Sequence, residues 1–361
     1  MRKVLIGLSG GVDSSVATHI LLKEGYEVSG ITMKIYDSKK YHNLPASKKE
    51  SCFGGDEEKS IEDAKKVAEH YKIPFYVIDL VEEYENFILN YFREEYNSGR
   101  TPNPCIKCNR DMKFGLLLEY AMKSGINFDF FATGHYARVE FDKEKNRYIL
   151  KKAKFIEKDQ SYFLALLSQN QLSKVILPLG NYSKKEVREI ALNLGLFTHD
   201  KIESQDFYSG DYTYLLKEKS KPGNIVDISG RILGKHNGIE NFTIGQRKGL
   251  KISYSKPLYV VAIDKERNEV IVDTEEGLFN DTLIANNVNW LSIESLKEPI
   301  RAKVRIRYRH TEDDATIYPL SEDKIKVIFD RPQRAITPGQ VAVIYNNDIV
   351  LGGGFIESFL K

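Results

Sequence analysis

The chain has 361 residues, 42% hydrophobic and 29% charged, with a formal net charge of +2 and three cysteines. That length supports two or three domains with sizeable cores, and the near-neutral balance excludes a globally basic protein, so any polyanion must be held by local basic patches. Three cysteines, two of them spaced Cys-x-x-Cys, exclude a disulfide scaffold and favour thiol or metal chemistry. No stretch has the apolar length that spans a bilayer and the start of the chain carries no secretory pattern, which predicts a cytoplasmic protein with no membrane partner.

The apolar run Val4-Leu5-Ile6 predicts a strand, and an amphipathic segment opening near Val16 predicts a helix. Between them lies Gly7-Leu8-Ser9-Gly10-Gly11-Val12-Asp13-Ser14-Ser15. Its glycines let backbone approach a phosphate closely, its serines offer hydroxyls, and the following helix aims unpaired N–H groups at an anion. Residues 26–33 read as a second strand, residues 60–71 as a capped helix, 75–80 as a third strand and 83–97 as a helix. A helix over 112–123 and a buried strand over 128–132, ending in Thr133-Gly134-His135, complete an alternation that predicts a doubly wound parallel sheet, an α/β fold with ligands at the strand carboxyl ends. The rest reads as β-rich: 224–228, then 258–263 paired with 269–272, then a small barrel from about residue 282. The expected domains are 1–210 (catalytic), 211–277 (small, β-rich) and 278–361 (β-barrel). Within the last, Arg301, Lys303, Arg305, Arg307 and Arg309 alternate with apolar residues, so a strand would set five cations on one face, as an RNA backbone demands. By the same parity Tyr308 points to the core.

The segment Arg100-Thr101-Pro102-Asn103-Pro104-Cys105-Ile106-Lys107-Cys108-Asn109-Arg110 is stiffened by two prolines. It predicts an exposed loop presenting Cys108 near a helix start, where the dipole, Lys107 and Arg110 favour the thiolate.

The first loop lacks the Gly-Lys-Ser/Thr of the nucleotide P-loop and instead resembles the PP-loop of ATP pyrophosphatases. With Thr101-Pro102-Asn103-Pro104, Cys108-Asn109, Thr133-Gly134-His135-Tyr136-Ala137-Arg138, Lys158-Asp159-Gln160-Ser161-Tyr162, Ser204-Gln205-Asp206, the stretch from Phe242 to Leu250 and Arg334-Ala335-Ile336-Thr337-Pro338-Gly339-Gln340, the chain resembles the bacterial tRNA-specific 2-thiouridylase family along nearly its whole length. That resemblance implies an ATP-dependent tRNA uridine 2-sulfurtransferase, in which O2 of the wobble uridine is adenylylated and sulfur then displaces AMP. It implies that Gly7, Leu8, Ser9, Gly10, Gly11, Val12, Asp13, Ser14, Ser15, Met33 and Gly134 hold ATP, with Asp13 on Mg2+ and Cys108 as a catalytic thiol. It further implies that Asn103, Pro104, Cys105, His135, Lys158, Asp159, Gln160, Arg307, Tyr308 and Gln340 contact tRNA. The sulfur donor stays open among a sulfur-relay protein, a cysteine desulfurase and hydrosulfide.

One departure changes the chemistry. Where the family carries a second catalytic cysteine, two residues after Ser-Gln-Asp, this chain has Tyr208, while Cys105 replaces the aspartate common after Asn-Pro and Cys52 is an added thiol. Cys52, Cys105 and Cys108 together resemble the ligand set of iron–sulfur tRNA thiolases, which would make a [4Fe-4S] cluster with an open iron the sulfur carrier. The alternatives are Cys105 as resolving thiol for Cys108, a thiolase of another RNA or uridine, and an RNA-binding sulfur-relay partner without turnover.

Overall fold

A computed structural model describes residues 1–41, 51–54, 57–201, 207–208, 210–216 and 220–360. The chain divides into two compact units: Met1–Ile88 with Cys105–Tyr212 and Asp348–Val350, and Leu89–Pro104 with Thr213–Asn347 and Leu351–Lys361.

The first unit is built on a five-stranded parallel sheet in the order Phe75–Asp79, Glu27–Lys34, Lys3–Gly7, Phe130–Ala132, Val175–Ile176. Val4, Leu5 and Ile6 are each no more than 1% exposed, the continuous burial of a strand covered on both faces. Helices Val12–Lys23, Glu57–Tyr71 and Lys184–Asn193 provide much of that cover through Val16, Ala17, Ala64, Val67, Val187 and Ala191. The order reverses on either side of Lys3–Gly7, so the glycine-rich loop that follows it sits at the topological switch point, where a doubly wound sheet opens a crevice. The expected α/β fold is therefore the observed one.

The helix expected over 112–123 begins earlier. Pro104–Lys107 is already helical, Cys108–Leu116 is wound as a π-helix, and Leu117–Lys123 returns to α geometry. Proline favours a helix's first turn, where its missing N–H costs nothing, so Pro104 starts this helix rather than lengthening the loop. Wide π turns inside helices recur at functional sites.

In the second unit, strands Tyr259–Asp264, Glu269–Asp273, Gly223–Asp227 and Ile232–His236 form one sheet over Ile225, Phe242, Val260, Val270 and Val272. Gly234, Lys235 and His236 lie in the last of these strands. A closed antiparallel six-stranded barrel follows in the order Phe279–Trp290, Ile325–Arg334, Asp313–Pro319, Ile300–Arg305, Val341–Asn346, Ile349–Leu360, with the last strand pairing back onto the first. Among the described residues no helix is long and apolar enough to cross a membrane.

Candidate active site

The loop after the first strand has the shape that an anion needs. Gly10 takes φ +70°, and a Cβ there would stand 2.8 Å from Asp63 Cβ and from the Ser60 carbonyl oxygen. Only glycine satisfies both the backbone angle and the space. Gly11 caps helix Val12–Lys23 with no side-chain hydrogen bond, leaving the first-turn amides open. The Ser14 and Ser15 hydroxyls donate to the Gly11 carbonyl at 3.2 and 2.8 Å, and the Ser9 N–H donates to Ser14 Oγ at 3.3 Å. Leu8 N–H bonds the Ile31 carbonyl at 2.8 Å, so Met33, near the end of that neighbouring strand, lies on the same rim.

Asp13 is the hub. Its Oδ1 accepts from the Tyr136 hydroxyl and from the Lys184 ammonium, both at 2.7 Å. The Thr133-Gly134-His135 turn closes on the same helix start: a Cβ on Gly134 would meet Asp13 C and Ser14 N at 2.9 Å. Gln160 Oε1 accepts the Tyr136 N–H at 3.0 Å and so holds the residue that holds Asp13. Asp159 is 2% exposed and turned inward, accepting from Ala153 N–H, Ser161 N–H and Ser161 Oγ at 3.0, 3.2 and 2.9 Å. Burial first, then the Lys113 ammonium, pushes the half-buried His135 down to about 3 and keeps it neutral; its Nδ1 is 2.8 Å from Thr133 Oγ1. Sequence reasoning placed Gly134 here but missed Tyr136, Lys184 and Lys201; the last donates to the Gly10 carbonyl at 3.0 Å and pairs with Asp63.

The thiols behave differently from the sequence expectation. Burial raises Cys108 to about 11, against the lowering effect of Lys113 and with Cys52 and Asp111 adding to the rise. Lys107 and Arg110, expected to favour the thiolate, are both bonded to Asp111, at 2.7 and 2.6 Å. Cys108 also stands past the first helical turn, away from the amides that stabilise an anion. At pH 8 about one part in a thousand of such a thiol is ionised. Alkylation of Cys108 in the substrate-free protein should therefore be slow at pH 7–8 and climb toward pH 11, measured by mass spectrometry of iodoacetamide adducts; a plateau near pH 7 would show an activated thiolate.

Cys52, Cys105 and Cys108 do share a neighbourhood. The Tyr84 hydroxyl, on a side chain 1% exposed, is pushed well above the ordinary phenol range by burial and then by the nearness of Cys108, Cys52 and Cys105. Phe53 stacks on Tyr84 with centroids 5.7 Å apart and on Phe207 at 6.0 Å, and its N–H bonds the Phe207 carbonyl at 3.0 Å, which sets Cys52 beside the chain position of Tyr208. Among the described residues, however, no three His, Cys, Asp or Glu side chains are arranged to hold a metal, and Cys52 is exposed while the other two are half-buried. The Ser204-Gln205-Asp206 stretch lies outside the described residues.

In the second unit, Gln340 Nε2 donates to the Thr101 and Pro102 carbonyls at 3.1 and 3.0 Å, and Thr101 N–H bonds the Pro338 carbonyl at 2.9 Å, bracing the proline loop that carries Asn103. Asn103 N–H reaches the Tyr91 hydroxyl at 3.3 Å. The five-cation face is not realised, because the strand stops at Arg305. Arg301 pairs bidentately with Asp330 at 2.7 and 2.6 Å, and Lys303 pairs with Asp314 at 3.2 Å. Arg307 Nη2 bonds the Arg334 carbonyl at 3.2 Å, and Arg305 lies 5.6 Å from the half-buried Tyr308 ring. Carboxylates of the barrel thus neutralise two of the five cations, Arg301 and Lys303, that sequence assigned to an RNA.

A parallel sheet with a lysine-free glycine–serine cradle at its switch point defines a PP-loop nucleotide-binding domain of the HUP class. Residues 2–208 match the family model described as tRNA methyl transferase HUP domain, 214–274 the tRNA methyl transferase PRC-barrel domain and 280–356 the aminomethyltransferase beta-barrel domain. The chain is 50% identical to the tRNA-specific 2-thiouridylase MnmA of Endomicrobium trichonymphae, over 98% of each chain. It is 46% identical to those of Acetivibrio thermocellus and Halothermothrix orenii, over 99% of each chain in both cases. The chain belongs to the tRNA-specific 2-thiouridylase family.

Proposed function

We propose that this chain is a cytoplasmic ATP-dependent tRNA uridine 2-sulfurtransferase acting on the wobble uridine. The observation that carries the reading is the Asp13 hub: an uncapped helix start, a carboxylate and the Gly134 turn meeting at one point of a PP-loop. The amides and hydroxyls of residues 9–15 bind the pyrophosphate portion of ATP, and Gly134 and Met33 flank the nucleotide. Uridine O2 attacks the α-phosphorus, the bond to the bridging oxygen breaks, and pyrophosphate leaves with the electron pair. Cys108 takes sulfur from an external donor as a persulfide, whose outer sulfur attacks C2 while AMP leaves with the electron pair. The Cys105 thiolate then attacks Cys108 Sγ, the S–S bond breaks, the uridine keeps the sulfur, and the Cys105–Cys108 disulfide is reduced by an external thiol.

A single carboxylate beside bound phosphates suits Mg2+, which retains waters and takes few protein ligands. Asp13 fits it, and the ion would neutralise charge on the departing phosphates. The [4Fe-4S] alternative fits less well: among the described residues no three His, Cys, Asp or Glu side chains are arranged to hold a metal, and Cys52 is exposed while Cys105 and Cys108 are half-buried. Iron and acid-labile sulfide measured on anaerobically purified protein should be far below stoichiometric; four irons per chain, lost in each single Cys→Ala variant, would reverse this.

The His135, Lys158, Asp159 and Gln160 rim, Cys105, and in the second unit Asn103, Pro104, Arg307, Tyr308 and Gln340, are the proposed RNA-facing positions. Asp159 and Gln160 serve by shaping the loop, their side chains being bonded internally. The test is tRNA-dependent release of AMP from ATP together with 2-thiouridine in digests of the tRNA. AMP release with sulfur at another position would redirect the substrate, and tRNA binding without AMP release would leave a non-catalytic partner.

A further inference from the structure

The cradle carries no lysine in sequence, yet a polyphosphate brings more charge than backbone amides neutralise. Two ammonium groups reach it from the far end of the first unit, and they are held differently. Lys201 bonds the Gly10 carbonyl and Asp63, a carbonyl and a carboxylate of the wall behind the loop, which makes it a brace. Lys184 bonds Asp13, the carboxylate on the open side, and its Nζ lies 6.0 Å from the Tyr136 ring centroid. The Lys184 and Asp13 side chains are 13% and 25% exposed, so neither is sealed away from an incoming ligand. Lys184 is also the first residue of helix Lys184–Asn193, whose Ser183–Glu186 capping box fixes its backbone at the edge of the site.

We propose that Lys184 is an exchangeable counter-ion of the nucleotide site. In the ligand-free protein it neutralises Asp13; when a polyphosphate arrives with its divalent cation, the cation takes the carboxylate and the ammonium turns to the phosphates. During adenylylation it meets the charge that builds on pyrophosphate as the bond to the α-phosphorus breaks. The idea rests on the ATP reading above.

The experiment combines calorimetry of Mg2+ alone and of inorganic pyrophosphate with Mg2+ against wild type, Lys184→Met and Lys184→Arg, alongside tRNA-dependent AMP release. Lys184→Met should weaken pyrophosphate binding about tenfold and lower kcat for AMP release about a hundredfold, the scale of one lost charge-stabilising group. It should also bind Mg2+ alone more tightly than wild type, because Asp13 has lost its competitor, and Lys184→Arg should restore part of the pyrophosphate affinity. A purely structural ion pair predicts the reverse: a lowered Tm, no tighter Mg2+ binding, and pyrophosphate binding unchanged in the folded fraction. Wild type that binds neither pyrophosphate nor ATP defeats the ATP reading itself, whereas wild-type binding that Lys184→Met leaves intact defeats only the counter-ion.

Discussion

Cys108→Ala should abolish 2-thiouridine formation while leaving AMP release running. In the proposed mechanism the two chemistries use different parts of the first unit: adenylylation would fall to residues 7–15 and Gly134, around the Asp13 hub, and sulfur delivery to the π-helical turn that starts at Cys108. Removing a nucleophile that forms a covalent link to the transferred atom typically costs at least 10³-fold in the step it serves. The variant should still turn over ATP in the presence of tRNA, as the adenylylated uridine is lost to water rather than to sulfur. The check is paired: nucleoside mass spectrometry of the tRNA and AMP release from the same reaction. Thiolation within tenfold of wild type would remove Cys108 from the chemistry and shift attention to Cys105 and Cys52, which share the Tyr84 neighbourhood. Serine is a poorer control than alanine, because a buried hydroxyl would seek hydrogen bonds that the apolar thiol position does not require.

The cradle was legible in sequence because every feature it needs is local. Gly10 is required by its own φ, the open amides by Gly11 having no capping side chain, and the strand before it by three consecutive apolar residues. What sequence could not show is contact across the chain. Asp13 and Lys184 are 171 positions apart, and Lys201 and Gly10 are 191 apart, so no spacing rule links them. Two of the failed expectations counted charges without their partners, and for Cys108 burial adds the larger effect. Lys107 and Arg110 sit at i−4 and i−1 from Asp111, a pairing visible in the sequence yet outweighed there by their closeness to Cys108. Arg301 and Lys303 meet Asp330 and Asp314 only once the barrel order sets Asp313–Pro319 beside Ile300–Arg305. Periodicity assigns a face, but the neighbouring strand decides whether its charge is available.

Gly134→Val should eliminate ATP use with little loss of fold. The nearest atoms to a Cβ at this position are backbone, Asp13 C and Ser14 N at 2.9 Å, and backbone at a helix start cannot rotate aside as a side chain can. Relief requires the Thr133-Gly134-His135 turn to move off the helix, which draws Tyr136 from Asp13 Oδ1 and disturbs the open first-turn amides before Ser15 that the proposed site offers to phosphate. Misplacement of about 1 Å in a preorganised site costs about 10²-fold in rate, and two β-branched methyl groups add to the displacement. AMP release should fall by at least that factor, with pyrophosphate binding weakened in parallel. Gly7 provides the contrast on the same rim: a Cβ there meets the Phe131 ring atom Cζ at 3.4 Å and Thr133 Cγ2 at 3.7 Å, ordinary contacts with side chains, so Gly7→Ala should keep most activity. If Gly134→Val retains wild-type AMP release at an unchanged Tm, the turn does not abut the nucleotide, and the site must be sought nearer Met33. Equal losses in Gly7→Ala and Gly134→Val would instead mean that the rim tolerates no added atom, making closeness to the ligand, rather than the approach of turn to helix, the controlling constraint.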